Sequence, residues 1–228
     1  MPGLDMVLDS SKEVEFSGMK GRFFAWFLTS PLRKITLHKI MGNPDPRFME
    51  LLALQGSETV VDFGSGSGHH SLMVAKKLKD GGKVIATDVS KEMLNKLRKL
   101  AKKRGVADKV EAIEADCQNL SAIVPDGSAD CGISVATWHH INGLAEEVLE
   151  TACNEMFRTL KPGGRIVVVD LGITKKSRQD RALGAVMKGH DRPYSMEDVA
   201  QYMTNAGFEQ QVVEKAGRWI VAKGVKPS

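Results

Sequence analysis

The chain has 228 residues, of which 42% are hydrophobic and 26% charged, and its formal net charge is +4 at pH 7. This length and balance are typical of one globular domain with a sizeable core. The charge is too small to favour a nucleic-acid partner. No apolar run approaches the ~18 residues of a membrane-spanning helix. The N-terminus lacks a secretory pattern and the 3 cysteines are widely spaced, so we expect a cytoplasmic protein with reduced thiols.

Patterns along the chain divide it into two parts. Residues 1–56 predict an N-terminal helical cap segment, and residues 57–228 predict a domain in which strands alternate with helices. Seven apolar runs predict the strands: residues 59–61, 83–87, 110–113, 131–135, 165–169, 211–213 and 219–222. The fifth run is predicted to begin after a turn at Pro162-Gly163-Gly164.

Helical spacing is clearest at residues 91–104 and 146–160, where apolar residues recur on one face. Ser90 is a suitable N-cap for the first of these helices, and Gly105 a suitable end. Strands alternating with helices predict an α/β fold with a parallel sheet and helices on both faces. Only a short turn separates the last two strands, which predicts an antiparallel hairpin.

A glycine-rich loop follows the first predicted strand. Asp62 precedes glycines at three alternate positions, Gly64, Gly66 and Gly68, which allow the backbone to turn sharply and approach a ligand. A dinucleotide site requires GxGxxG, and His69 stands where its third glycine should be. The chain also lacks the GxxxxGK[ST] loop of nucleoside triphosphatases. The spacing therefore disfavours a nicotinamide or flavin cofactor.

Polar residues follow the next three predicted strands as well. Asp88 is placed to accept ribose hydroxyls, and Asp116 to accept the amino group of an adenine. His139 and His140 follow the fourth strand beside Trp138, where they point to the reaction centre. We expect no metal site, because no further histidine or cysteine has ligand-like spacing.

Together these motifs resemble the class I S-adenosylmethionine-dependent methyltransferases, in particular the ubiquinone/menaquinone-biosynthesis-like group. The resemblance covers residues 45–225 and rests on Asp62 with GxGxG, on Asp88, on Asp116 and on the Leu-Lys-Pro-Gly-Gly turn at residues 160–164. It implies a Rossmann-like, seven-stranded, mostly parallel sheet with an antiparallel last strand, helices on both faces and an N-terminal helical cap.

The resemblance also implies S-adenosylmethionine as the cofactor and gives each motif residue a role. The loop from Gly64 to Gly68, including Ser65, would pass under the methionine part, with Asp62 near its amino group and Asp88 at the ribose. Five further residues would complete the pocket: Val89 and Met93 beside the adenine, Asp116 and Cys117 at its amino edge, and Val135, whose carbonyl would face the cofactor's amino group.

Methyl transfer by in-line displacement depends mainly on positioning and desolvation, and needs a base only when the acceptor arrives protonated. His139 and His140 are the candidates for that base. We expect a small-molecule acceptor, such as a quinol, phenol, thiol or lipid-like compound. Three alternatives remain open: a methyltransferase acting on RNA or protein, a non-catalytic cofactor-binding protein, and an NAD(P)-dependent oxidoreductase.

Two segments outside the sheet are candidates for gripping the acceptor. Residues 17–41 combine aromatic and basic side chains, which fits either a helical cap over the site or a peripheral membrane contact. Residues 174–194 are polar and basic, and fit a mobile lid. The sequence does not indicate an oligomeric state.

Overall fold

The computed structural model of the chain describes residues 41–79, 81–120, 123–141, 146–172 and 194–228. The aromatic segment at residues 17–41, apart from Met41, and the predicted lid at residues 174–194, apart from Tyr194, lie outside the described residues. The division into a cap segment (1–56) and a cofactor domain (57–228) therefore stays a prediction.

The described strands form one sheet of 7 strands in the order β3-β2-β1-β4-β5-β7-β6. Their bounds are Thr59–Phe63 (β1), Lys83–Asp88 (β2), Val110–Glu114 (β3), Ala129–Val135 (β4), Leu160–Leu171 (β5), Glu209–Ala216 (β6) and Trp219–Val225 (β7). β7 runs antiparallel to both of its neighbours, and the other pairs are parallel. The predicted sheet and its closing hairpin are confirmed.

Helices cover both faces of this sheet. They are Asp45–Leu52 (α1), His69–Ala75 (α2), Lys91–Lys103 (α3), Trp138–Ile141 (α4), Glu146–Thr159 (α5) and Met196–Asn205 (α6), with a 3₁₀ turn at Ala107–Lys109. Side chains of a strand alternate between faces, so Val60 joins the core beneath α1, α2 and α3 while Val61 joins the core beneath α5 and α6. Ser90 caps α3 as predicted, since its hydroxyl accepts from the amide of Met93.

The predicted turn at residues 162–164 is wrong in one respect, because it lies inside β5 instead of preceding it. Ala129 pairs with Leu160 and Cys131 with Arg165, so β5 carries extra residues that bulge between the two pairs. The bulge is stabilised by Lys226, whose carbonyl accepts from the amide of Gly163 at 2.9 Å and whose amide donates to the Gly164 carbonyl at 2.8 Å. Lys226, which directly follows β7, thus satisfies backbone groups that a turn would leave to solvent.

The strand order places a switch point between β1 and β4. From β1 the chain proceeds outward to β2 and β3, and it then returns to place β4 on the other side of β1. Connections leave in opposite directions there, which opens a crevice beyond the carboxyl ends of the two strands. The residues that follow β1, β2, β4 and β5 meet at this edge of the sheet.

Candidate active site

The three glycines after β1 all adopt left-handed backbone conformations, but for different reasons. A Cβ at Gly64 would lie 2.4 Å from the side chain of Thr137, and one at Gly68 would lie 2.0 Å from Leu97. Packing therefore excludes a side chain at both positions. A Cβ at Gly66 would meet nothing within 4 Å. The middle of the loop faces open space, into which a ligand can approach the backbone.

Ser65 lies in the same loop and carries a polar atom with no protein partner. Its amide donates to the Thr87 carbonyl at 2.8 Å. Its hydroxyl is buried and has no hydrogen-bond partner among the described residues. Buried hydroxyls are nearly always paired in native proteins, so this one is available to donate to a ligand that bears an acceptor.

Asp88 ties the loop to the end of β2. One carboxylate oxygen accepts from the Gly66 amide at 2.7 Å, and the other accepts from the Ser90 amide at 2.8 Å. Burial raises the pKa of the Asp88 carboxyl above its usual range. Each oxygen can accept a second hydrogen bond. Val89, the next residue, is 67% exposed although it is apolar. A carboxylate and an exposed apolar side chain therefore lie side by side at the end of β2.

Asp62, at the end of β1, is only 2% exposed. Its carboxylate accepts from the Ser71 hydroxyl on α2. Burial raises the pKa of Asp62 to about 7, and the neighbouring Asp88 charge adds to the rise. A carboxyl in this setting is stabilised in its ionised form by an incoming cation.

Met93, Asp116 and Cys117 lie at the ends of β2 and β3 or just beyond them. Met93, in the first turn of α3, is 3% exposed. An Asp116 oxygen accepts from the Gln118 amide at 2.9 Å. Cys117 is half-buried, and burial followed by the Asp116 charge raises its pKa to about 12. The thiol therefore stays neutral beside the Asp116 carboxylate.

Val135 ends β4, and the backbone turns sharply immediately after it. Ala136 has a φ of 55°, which is unusual for a residue with a side chain. The Thr137 hydroxyl lies 3.3 Å from the Val135 carbonyl oxygen and 3.1 Å from that of Gly64. This hydroxyl fastens the end of β4 to the glycine loop after β1.

Asp170, near the end of β5, organises the histidine pair. It is 1% exposed, and one oxygen accepts from the amides of Thr137 and Trp138 at 3.1 and 2.7 Å. Its other oxygen lies 2.6 Å from Nδ1 of His139. Burial acts to raise the pKa of Asp170, but the His139 imidazole outweighs it and holds that pKa below its usual range. The ring of His140 lies against that of His139, with 3.9 Å between centroids.

Both predicted histidines thus lie at the same edge as the glycine loop, and His139 is buried while His140 is half-buried. Asp170 is not among the site residues predicted from the sequence. An acid at the end of an apolar strand could have identified it, as it did Asp62 and Asp88. Here the run is Val167-Val168-Val169-Asp170.

A family model described as a methyltransferase domain matches residues 60–164. The chain is 25% identical over 206 residues to a ubiquinone/menaquinone biosynthesis C-methyltransferase of Pseudomonas entomophila, covering 78% of this chain and 77% of that protein. The corresponding Salmonella arizonae protein is 32% identical over 113 residues, or 50% of this chain and 42% of that protein. Residues 60–164 thus match a methyltransferase domain, and the chain is an S-adenosylmethionine-dependent methyltransferase.

A solved structure agrees with this fold. The S-adenosylmethionine-dependent methyltransferase of Aquifex aeolicus superposes with a TM-score of 0.68 at 22% identity, over 90% of the methyltransferase described here and 97% of its own chain. At that identity the likeness shows the fold alone.

The residues of the methyltransferase fit S-adenosylmethionine, its cofactor. The orphaned Ser65 hydroxyl suits a carboxylate acceptor, and the space over Gly66 admits a ligand against the backbone. Asp88 beside exposed Val89 offers a carboxylate for ribose hydroxyls next to an apolar surface for a flat base. Asp62 offers a buried carboxylate for a cation.

Replacing Gly66 by alanine tests whether the open space belongs to the cofactor. Left-handed strain should lower the free energy of unfolding by about 1–2 kcal/mol, while cofactor affinity falls at least about tenfold because the methyl group occupies the ligand's space. Gly105→Ala is the matched control, since Gly105 also has positive φ and open surroundings but lies at the far end of α3. Calorimetric titration that shows equal affinity in both variants would contradict this assignment.

The raised pKa of Asp62 predicts pH-dependent cofactor binding. Below about pH 7 the free carboxyl is largely protonated, and a cationic ligand favours the ionised form, so binding releases a proton. The association constant should therefore rise between pH 5.5 and 7.5, by at most about tenfold per pH unit. Titration calorimetry in buffers of different ionisation enthalpy measures the released proton. Asp62→Asn should bind more weakly at pH 7.5 and lose this dependence; an unchanged slope in the variant would refute it.

Proposed function

We propose that this methyltransferase transfers a methyl group to a small molecule with a phenol-like ring, next to the carboxyl ends of β4 and β5. One observation carries the proposal: Thr137 joins the two halves of the site. Its hydroxyl binds the carbonyl of Gly64 in the glycine loop, and its amide donates to Asp170, which holds His139. The proposed cofactor loop and the histidine pair therefore have a fixed relative position.

In the cofactor half, we assign the loop from Gly64 to Gly68 to the methionine part and Asp62 to its ammonium. Asp88 takes the ribose hydroxyls. When bound, S-adenosylmethionine supplies an electrophilic methyl group on a sulfonium. The contribution of these side chains is to bind and orient the donor, and their fixed hydrogen bonds mean that little rearrangement accompanies binding.

The adenine part is assigned to four side chains. Exposed Val89 and the buried Met93 flank the ring, and the neutral Cys117 thiol completes its apolar surroundings. The carboxylate of Asp116 accepts from the adenine amino group. The Val135 carbonyl retains acceptor capacity for the amino group of the methionine part.

In the acceptor half, we assign the proton transfer to the histidine pair. The carboxylate of Asp170 accepts from Nδ1–H of His139, which fixes the orientation of that ring. His140 stacks on His139 and is less buried. We therefore take His140 as the base that removes the acceptor's proton, with His139 and Asp170 as positioning residues.

The acceptor class is inferred from the surroundings of α4 and from the relatives. Trp138 packs against Tyr194 and Tyr202 with ring centroids 6.3 and 6.5 Å away, and the Tyr194 hydroxyl donates to the Trp138 carbonyl. This apolar packing excludes water from behind the histidines. The curated relatives are named as methyltransferases of ubiquinone and menaquinone biosynthesis, which makes a quinol the first acceptor to test.

The test is transfer of labelled methyl from S-adenosylmethionine to a panel of quinols, simple phenols, thiols and amines. A base contributes about 10²–10⁴-fold to such reactions, so the His139→Gln/His140→Gln variant should lose at least about a hundredfold in kcat with any phenolic acceptor. Its Kd for S-adenosylmethionine should stay within about threefold of the parent, because neither ring is assigned to the cofactor. Asp170→Asn should lower kcat without changing that Kd.

Thr151→Ala, on the exposed side of α5, serves as the control that should leave both constants unchanged. A double histidine variant with parental kcat would remove the pair from catalysis. Methylation of none of the panel, with tight cofactor binding retained, would refute the proposed acceptor class.

We further propose that residues 17–41 make a peripheral membrane contact, where an apolar acceptor dissolves. The support is their composition: four aromatic side chains, Phe23, Phe24, Trp26 and Phe27, stand beside Lys20, Arg22, Arg33 and Lys34. Among the described residues, no helix has the length and apolarity to cross a bilayer. The chain should float with anionic liposomes, and a chain lacking residues 1–41 should not. Equal flotation of both would contradict the contact.

A further inference from the structure

A second cluster of polar side chains lies beside the glycine loop but outside the site described above. It consists of Asp45, in the first turn of α1, and His69 and His70, the first two residues of α2. Nε2 of His70 lies 3.2 Å from one Asp45 oxygen, and Nε2 of His69 lies 3.5 Å from the other. One ligand atom from each of the three residues falls within 4.8 Å of the others.

The fold holds these three side chains in place. The two imidazole rings are nearly perpendicular, with centroids 4.8 Å apart, so their nitrogens converge on Asp45 from different directions. The ring of Phe48 packs edge-on against His70 at 5.3 Å. The side chains are 20%, 20% and 10% exposed for Asp45, His69 and His70. The cluster is therefore ordered by packing and still open to an ion from solvent.

We propose that Asp45, His69 and His70 form a binding site for a divalent first-row transition-metal ion. Two imidazoles and one carboxylate are ligands that zinc, iron, nickel and cobalt accept, whereas magnesium and calcium prefer oxygen alone. Zinc lies about 2.0–2.2 Å from nitrogen and oxygen ligands, so the three ligand atoms would close slightly around one ion. Three protein ligands leave at least one coordination position for water or a ligand.

Spacing along the sequence does not predict this cluster, because Asp45 is distant from the two histidines in the chain. Asp45 precedes His69 by 24 residues, and the packing of α1 onto the sheet brings it to the start of α2. His69 directly follows Gly68, the last glycine of the loop. An ion held here would join α1 to the end of the proposed cofactor loop, whatever the acceptor proves to be.

The competing explanation is a plain hydrogen-bonded clamp, in which Asp45 accepts from both imidazoles without an ion. The two explanations differ in what added metal does. A clamp gains nothing from zinc, whereas an ion site is stabilised by it through mass action.

The experiment uses the full chain without a polyhistidine tag, stripped with a chelator. Zinc titrated against a chromophoric competitor should bind at one equivalent, and bound cobalt should show the stronger visible absorption of a low-coordinate site. Asp45→Asn and His69→Gln/His70→Gln should each weaken zinc binding at least about tenfold. Glu50→Gln is the matched control, since it removes an exposed carboxylate from the same helix and should bind zinc like the parent.

Thermal unfolding with and without zinc provides a second readout. Zinc should raise the Tm of the parent and of Glu50→Gln, and should leave that of His69→Gln/His70→Gln unchanged. The cobalt spectrum of the parent needs no variant, so the test holds even if a variant does not fold. The proposal is overturned if parental cobalt absorbs like the aqueous ion, or if zinc binds the double variant as tightly as the parent.

Discussion

The organisation of the site depends first on the hydrogen bond from the Gly66 amide to the Asp88 carboxylate at 2.7 Å. With the amides of Gly64 and Ser65, both donating to the Thr87 carbonyl, it holds the loop after β1 against the end of β2. Glycine loses more conformational freedom on ordering than other residues, so a glycine-rich loop needs such anchors. Because they are internal to the protein, the loop is organised before any ligand arrives, which reduces the entropy lost on binding.

A parallel arrangement exists at the end of β5. Asp170 accepts backbone N–H groups from Thr137 and Trp138 just as Asp88 accepts from Gly66 and Ser90. In both places a strand-end carboxylate replaces the partners that the backbone lacks at the start of a loop or helix. The Thr137 hydroxyl then connects β4 to the β1 loop. Adjacent strand ends thus hold one another in place, and functional side chains are carried on the connections between them.

The sequence was sufficient for features that depend on local pattern. The strands, the Ser90 cap and the positions of Asp62 and Asp88 at strand ends can be predicted because alternation and strand ends are visible in a short window. The bulge in β5 was not, because Pro-Gly-Gly fits a turn or a bulge equally, and only the pairing with Lys226 decides between them. The pairing of His139 with Asp170 and of His70 with Asp45 spans 31 and 25 residues respectively. Contacts at such separations depend on how the elements pack.

The electrostatics of the proposed cofactor pocket also bear on turnover. Burial raises the pKa values of Asp62 and Asp88, and the Asp88 charge adds to the rise at Asp62. A pocket of this kind is stabilised by positive charge, and S-adenosylmethionine carries a sulfonium as well as an ammonium. On the proposed assignment, methyl transfer would neutralise the sulfonium, and the product would give the two carboxylates less compensation than the substrate does.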